Sequence, residues 1–289
     1  MRPARLRRLS LLAASLACAF AFKAAACDLK PVDMLTPREI VDGQHLILAD
    51  GREAVLANIE VPKPDEGHGR YAQEARGLAA ELLRSGARIA YGKTREDRYG
   101  RLMVFPLLAD GQTAQARLIE AGLARVMGAP DNRTCIEELL ALEAEARAAR
   151  RGLWRDPSFA VIAATDLARL HRAEGDFAIV EGVVADAASI RGRLYVNFGE
   201  DRHADFTVTV APAAAKLFSA GVWASIPGNP TMLVGRTMRV RGFVGSFNGP
   251  EIAVTYPEQI EFPEHGKEAA SSGGRNGETA RRPGRRSRD

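Results

Sequence analysis

Residues Asp97-Arg98-Tyr99-Gly100-Arg101 form a charged loop with a turn glycine, and Leu102-Met103-Val104-Phe105 continue it as an apolar strand. Arg101 therefore stands where a loop meets a strand. A guanidinium held there presents a fixed fork of donors that suits a phosphate or carboxylate. Asp97, Arg98 and Tyr99 are its polar neighbours and candidate binding residues. The same five residues also suit an ordinary solvated turn, so the surrounding elements have to decide.

Those elements begin as β. Gln44 to Ala49 and Glu53 to Glu60 read as strands around the hairpin dipeptide Asp50-Gly51, and Val61-Pro62 ends the second. Tyr71 to Arg84 places Ala75, Leu78 and Leu82 at helical spacing and stops at Gly86. Arg88 to Gly92 and Arg101 to Leu108 flank the charged loop as strands, and Ala114 to Ala121 is a short helix ended by Gly122. Thr134 and Glu137 fit a capping box for a longer helix, in which Glu143 and Arg147 make an i,i+4 pair. Arg147, Arg150 and Arg151 gather at its C-terminal end, where cations complement the helix dipole.

Residues 156–175 read as a helical connector. A second β-rich block spans 176–263, with strands at Phe177 to Val184, Leu194 to Phe198, Phe206 to Val210, Thr237 to Val244 and Glu251 to Thr255. A short helix opens at Pro212. The order β-β-β-α-β-β is that of a five-stranded Greek-key barrel of the oligonucleotide-binding (OB) type. Tyr195, Phe198, Phe206 and Phe243 are candidates to stack bases, or else to fill its core. Arg191, Arg193, Arg239 and Arg241 are candidate phosphate contacts, and Arg239 and Arg241 alternate onto one strand face.

The chain has 289 residues, room for two domains. Residues 1–26 carry a basic start (Arg2, Arg5, Arg7, Arg8), an apolar run from Leu9 to Phe22 and small residues at Ala24-Ala25-Ala26, the pattern of a secretory signal. That predicts an exported protein, periplasmic or secreted, with no membrane-spanning segment after cleavage. Lipid attachment at Cys27 is the alternative way to read the same junction. Removal of residues 1–26 leaves Cys27 and Cys135, which in an exported protein form either a disulfide or two thiols. Residues 264–289 are polar and predict a disordered basic tail. The overall charge of +4 misleads, because residues 27–263 hold 28 basic and 32 acidic side chains. A body of that balance has no general field to hold nucleic acid, so phosphate contacts have to be local. The five histidines, His45, His68, His171, His203 and His265, show no metal-ligand spacing.

Six ordered motifs carry a family likeness: Val41-Asp42-Gly43; Val55 through Pro62; Tyr71-Ala72-Gln73-Glu74-Ala75; Asp97 through Leu102; Glu120-Ala121-Gly122-Leu123-Ala124; and Glu143 through Ala146 with Arg151-Gly152-Leu153-Trp154. Over about residues 38–155 the chain resembles the staphylococcal-nuclease-like (thermonuclease) family. The resemblance implies a five-stranded OB-type barrel with three helices, and an ancestral calcium-dependent phosphodiesterase. Together the two blocks predict a mainly β protein with α (α+β) built as two such barrels.

The resemblance also implies roles, position by position. Glu60 matches a calcium carboxylate, Asp42 is a matching acidic neighbour and candidate metal ligand, Val61 matches a ligand that acts through its backbone carbonyl, and Arg101 matches a phosphate arginine. The remaining positions depart: Gln44 replaces a calcium carboxylate, Val55 the other phosphate arginine, and Lys63 the catalytic glutamate. Tyrosines that pack on the base have no counterpart near Val126-Met127-Gly128. Each lost base or phosphate clamp costs about 10²–10⁴ in rate. A protonated lysine beside Ca²⁺ repels the metal, but it can hold a phosphate as a point charge. A desolvated, neutral Lys63 is the alternative that restores a base. The expectation is an exported protein with a degenerate nuclease site that binds nucleic acid or another polyanion with little cleavage. An active nuclease with a rearranged site, with Ca²⁺ as the possible cofactor, and an envelope protein-interaction module are the alternatives.

Overall fold

A computed structural model describes residues 27–64, 69–226 and 228–263. The secretory signal, His68, His265 and the basic tail lie outside the described residues. The fold is mainly β with a few helices, and its first sheet is a curled half-barrel.

That sheet is built from β1 (Asp33–Leu35), β2 (Pro37–Ile40), β3 (His45–Leu48), β4 (Glu53–Leu56), β6 (Ala87–Glu96) and β7 (Leu102–Leu107), ordered β1-β6-β7-β4-β3-β2. β5 (Ile59–Glu60) pairs separately with β8 (Arg125–Val126). β3 and β4 form the hairpin at Asp50-Gly51, where Gly51 has φ +89°. β4 and β7 pair parallel, because α1 (Gly69–Leu83) crosses over between them. α2 (Ala114–Glu120) and α3 (Ile136–Ala148) close one side.

The capping box is corrected: Cys135, at φ 62°, is the N-cap of α3 and makes no side-chain cap bond. The physical reason lies in two tethers. The Thr134 carbonyl accepts from the Asn58 side chain at 2.7 Å, and Cys135 is bonded to Cys27 in a disulfide that joins positions 108 residues apart.

The connector is less helical than its sequence suggests. Only α4 (Leu167–Arg172) is α-helix, and β9 (Ile162–Ala163) pairs parallel with β10 (Phe177–Val183). The second block continues with β11 (Asp186–Ile190), β12 (Arg193–Asn197), β13 (Thr207–Val210), the single turn α5 (Pro212–Ala215), β14 (Thr237–Phe243), β15 (Gly245–Ser246), β16 (Pro250–Val254) and β17 (Ile260–Glu261). β11, β12, β13, β16 and β15 form one sheet in that order, and β17, β14, β10 and β9 another. As β4 does with β7, β13 pairs parallel with β16. No described helix is long and apolar enough to cross a membrane.

The two blocks share their packing. Phe159, Phe177, Ile179 and Tyr256 belong to the same buried cluster as Leu56, Val126 and Leu139. At the seam sits Arg241, 1% exposed. Its Nη1 and Nη2 donate to the two oxygens of Glu143 at 3.0 and 2.7 Å, and Nη2 also donates to Glu261 at 2.6 Å. Burial alone would raise the Glu143 carboxyl, but Arg241, the Val126 N–H and Arg147 hold it below its ordinary value. Burial likewise works against the charged guanidinium, and Glu143 and Glu261 reverse that and raise it.

Arg239 and Arg241 therefore do not contact phosphate. Both are buried, and Arg239 binds Glu181 at 2.6 Å. Their alternation onto one face is real, but that face points inward. Arg241→Ala leaves Glu143 buried without its main partner and should cost about 3–5 kcal/mol, read as a lower midpoint of denaturant unfolding. The folded Glu143 pKa is depressed, so its contribution is complete above the unfolded carboxyl value and is lost as pH falls through the lower folded one. Acid titration of the wild-type midpoint should show this loss, and a midpoint that rises on acidification would contradict it.

Candidate phosphate-binding cleft

A cleft of about 410 Å³ gathers the residues singled out by chemistry. Asp42, Gln44, Val55, Glu60, Lys63 and Arg101 all line it, with Val61 between Glu60 and Lys63. Arg101 enters from the start of β7. Its Nε and Nη2 donate to Asp97 Oδ2 at 2.8 and 2.7 Å. Asp97 Oδ1 accepts from the Tyr99 and Arg101 N–H groups at 2.9 and 3.0 Å. Slight burial raises the Asp97 carboxyl, and the Arg101 side chain and these amides outweigh it and hold it low. The loop is thus clamped on itself around Gly100, at φ +79°, and Arg101 is aimed by its own aspartate. Arg98 and Tyr99 lie outside the cleft lining; Tyr99 is exposed, with the Arg98 and Arg101 guanidiniums 4.8 and 5.1 Å from its ring centre.

The opposite wall is closed to a metal. Asp42 caps its own turn: Oδ1 accepts from the N–H groups of Gln44 and His45 at 2.7 Å each, and Oδ2 meets His45 Nδ1 at 2.8 Å. Burial would raise this carboxyl; the His45 bond and the two amides hold it below its usual value. The Gln44 amide donates to the Ile59 carbonyl at 2.7 Å. The turn is pressed against α1, since a Cβ on Gly43 would lie 2.6 Å from that of Ala75. Val55 is buried on β4 opposite His45.

Glu60 faces Arg125 across the β5–β8 pair, and Arg125 Nε donates to Glu60 Oε2 at 2.8 Å. Arg125 is 9% exposed. Its Nη1 donates to the Phe177 carbonyl at 2.9 Å, and its guanidinium lies 5.2 and 4.9 Å from the ring centres of Phe159 and Phe177. Ca²⁺ needs six to eight hard oxygens, with several carboxylates free to turn toward it. Here one carboxylate serves its turn, one is now an amide, and one carries a guanidinium. Among the described residues no three His, Cys, Asp or Glu side chains gather as ligands. The donor set does not fit Ca²⁺.

Arg125 escaped the sequence reading, which ends the fifth motif at Ala124. A cation directly across a two-residue strand pair from Glu60 was the available signal, but only pairing register reveals it. Met127 lines the cleft where no tyrosine stands. In the second block Phe198 and Phe206 are core residues, whereas Phe243 lines the cleft and is 57% exposed. Arg191 sits exposed in the β11–β12 turn and Arg193 is half-buried.

Residues 53–156 match the family model described as "Staphylococcal nuclease homologue". Two curated proteins named "Uncharacterized endonuclease", from Escherichia coli O157:H7 and from Escherichia coli, are each 29% identical over 120 residues, covering 40% of this chain and 74% of their own.

Because Arg125 already neutralises Glu60, saturating Ca²⁺ should leave the melting temperature where a chelator puts it. A resident site at 100 times its Kd would instead add about 2.7 kcal/mol. Glu60→Gln should destabilise by up to about 3 kcal/mol with or without Ca²⁺, as loss of an ion pair does.

Proposed function

We propose that this protein binds nucleic acid in the cleft beside Arg101 and cleaves it little or not at all. The observation that carries the reading is the Glu60–Arg125 pair, which sets a fixed cation where hydrolysis by this family's route would need a divalent one. Lys63 at the position of the general base and Val55 at that of the second phosphate arginine support it. Arg101 and Lys63 line the cleft, and both are cations of a type that suits a phosphodiester.

The architecture we propose is two OB-type barrels, 38–155 and 176–263, joined by 156–175. The matching strand orders support it. In each block three successive antiparallel strands, β2-β3-β4 and β11-β12-β13, lead to a parallel pairing of the third with a later strand, β7 and β16. In the second block β14 returns to pair with β10, in a second sheet beside that of β11 to β16. We propose further that residues 1–26 direct export, and the Cys27–Cys135 disulfide fits an oxidising compartment. The mass of the secreted product, starting at or near Cys27, checks this; an intact Met1 in a cytosolic product refutes it.

The purified chain should be mixed with single-stranded DNA, duplex DNA and RNA, in Ca²⁺ and in chelator. The expected result is salt-sensitive binding, no Ca²⁺-dependent cleavage, and an affinity about tenfold lower in Arg101→Ala, the size of one charge-assisted contact. Ca²⁺-dependent cleavage that disappears in Arg101→Ala would establish the active nuclease. Neither cleavage nor salt-sensitive binding would turn the assignment to a protein-interaction module.

A further inference from the structure

We infer that Phe243, supplied by the second block, is the platform for an unpaired base, so that the ligand of the cleft is a single strand gripped by phosphate and base together. This rests on the nucleic-acid reading above and adds the substrate class.

The cleft is composite. One wall is the nuclease-type block, with Arg101 and Lys63; the other comes from the connector and from β10 and β14. Three aromatic rings belong to that second wall: Phe159, Phe177 and Phe243. Phe159 and Phe177 are buried, and the Arg125 guanidinium lies against both. Neither offers a free face. Phe243 is 57% exposed while still lining the cleft. It is the last residue of β14, directly opposite Phe177 at the start of β10, and the two rings meet edge to face at 5.8 Å and 75°.

An exposed apolar ring that shares a cleft with Arg101 and Lys63 matches a ligand that is anionic at one end and flat at the other. A nucleotide unit of a single strand has that form. About 410 Å³ is room of the scale that holds one small-molecule-sized unit. A duplex covers its base faces by stacking, so only an unpaired base can use the ring, whatever its sequence. The acidic balance of the body supplies no compensating general attraction. The base contact should therefore be a large part of the affinity.

The test is fluorescence anisotropy on the full chain at one fixed salt concentration, with labelled oligothymidylate, a duplex of equal length and an abasic strand of equal length. Wild type should bind oligothymidylate about tenfold more tightly than the abasic strand, the scale of one base–aromatic stack. Phe243→Ala should fall to the abasic level, with its abasic affinity unchanged, and Phe243→Trp should keep the preference. Circular dichroism of each variant confirms folding. If Phe243→Ala binds oligothymidylate as wild type does while Arg101→Ala weakens it, this inference is wrong and the nucleic-acid reading stands. If wild type prefers the duplex, the single-strand assignment is wrong. If no strand binds, the nucleic-acid reading fails and this inference falls with it.

Discussion

The Arg241–Glu143 pair is the contact that the rest of the molecule has to respect. Both side chains are essentially without solvent. Taking two such charges out of water costs several kcal/mol each, so they have to meet in one geometry that offsets that cost. Glu143 comes from α3 in the first block, and Arg241 from β14 in the second. Any other docking of the blocks strands both charges. The pair therefore adds modest net stability but strongly disfavours alternatives. It also reaches the cleft. The Val126 N–H donates to Glu143 and the Val126 carbonyl accepts from Arg241, which fixes β8. The residue before Val126 is Arg125. The guanidinium that meets Glu60 is thus placed by an ion pair that has no access to the cleft itself.

The cleft chemistry is internally consistent. Gln44 donates to the Ile59 carbonyl, and Arg125 offsets the charge of Glu60. Lys63 and Arg101 line the same cleft. Asp42 keeps its carboxylate but spends it on the turn that supports Gln44 and His45. Arg101 keeps its orientation because Asp97 fastens the loop.

Much of this was legible in residue order. The Asp50-Gly51 hairpin, the glycine stop at Gly86 and the strand after Arg101 are local signals, and local chemistry fixes them. What escaped the sequence was set by partners far along the chain. Alternation places Arg239 and Arg241 on a shared face, yet it cannot say that Glu181, Glu143 and Glu261 wait there. Glu143 and Arg147 have the spacing of a surface pair, and the 3.6 Å contact exists; burial and the stronger claim of Arg241 come from elsewhere. Thr134 had the right residue three positions before Glu137, but the Asn58 and Cys27 tethers override the local preference. β11 was missed because Asp186 to Ile190 has weak strand character, and its pairing with β12 supplies the missing stability.

The composite cleft changes what counts as the functional unit. The family match ends at residue 156, and the motifs alone would place the whole site before it. Yet Arg125 completes its bonding on the Phe177 carbonyl, the Gly128 N–H donates to the Tyr256 hydroxyl at 2.8 Å, and Arg133 binds Glu258. Removing the second block would leave Glu143 facing solvent without Arg241 and would open the aromatic wall around Arg125. The first block by itself is then a different electrostatic object, with Glu60 less firmly held and the cleft unroofed. In this chain the second block is part of the cleft, because Arg125, the residue that meets Glu60, is positioned from across the seam.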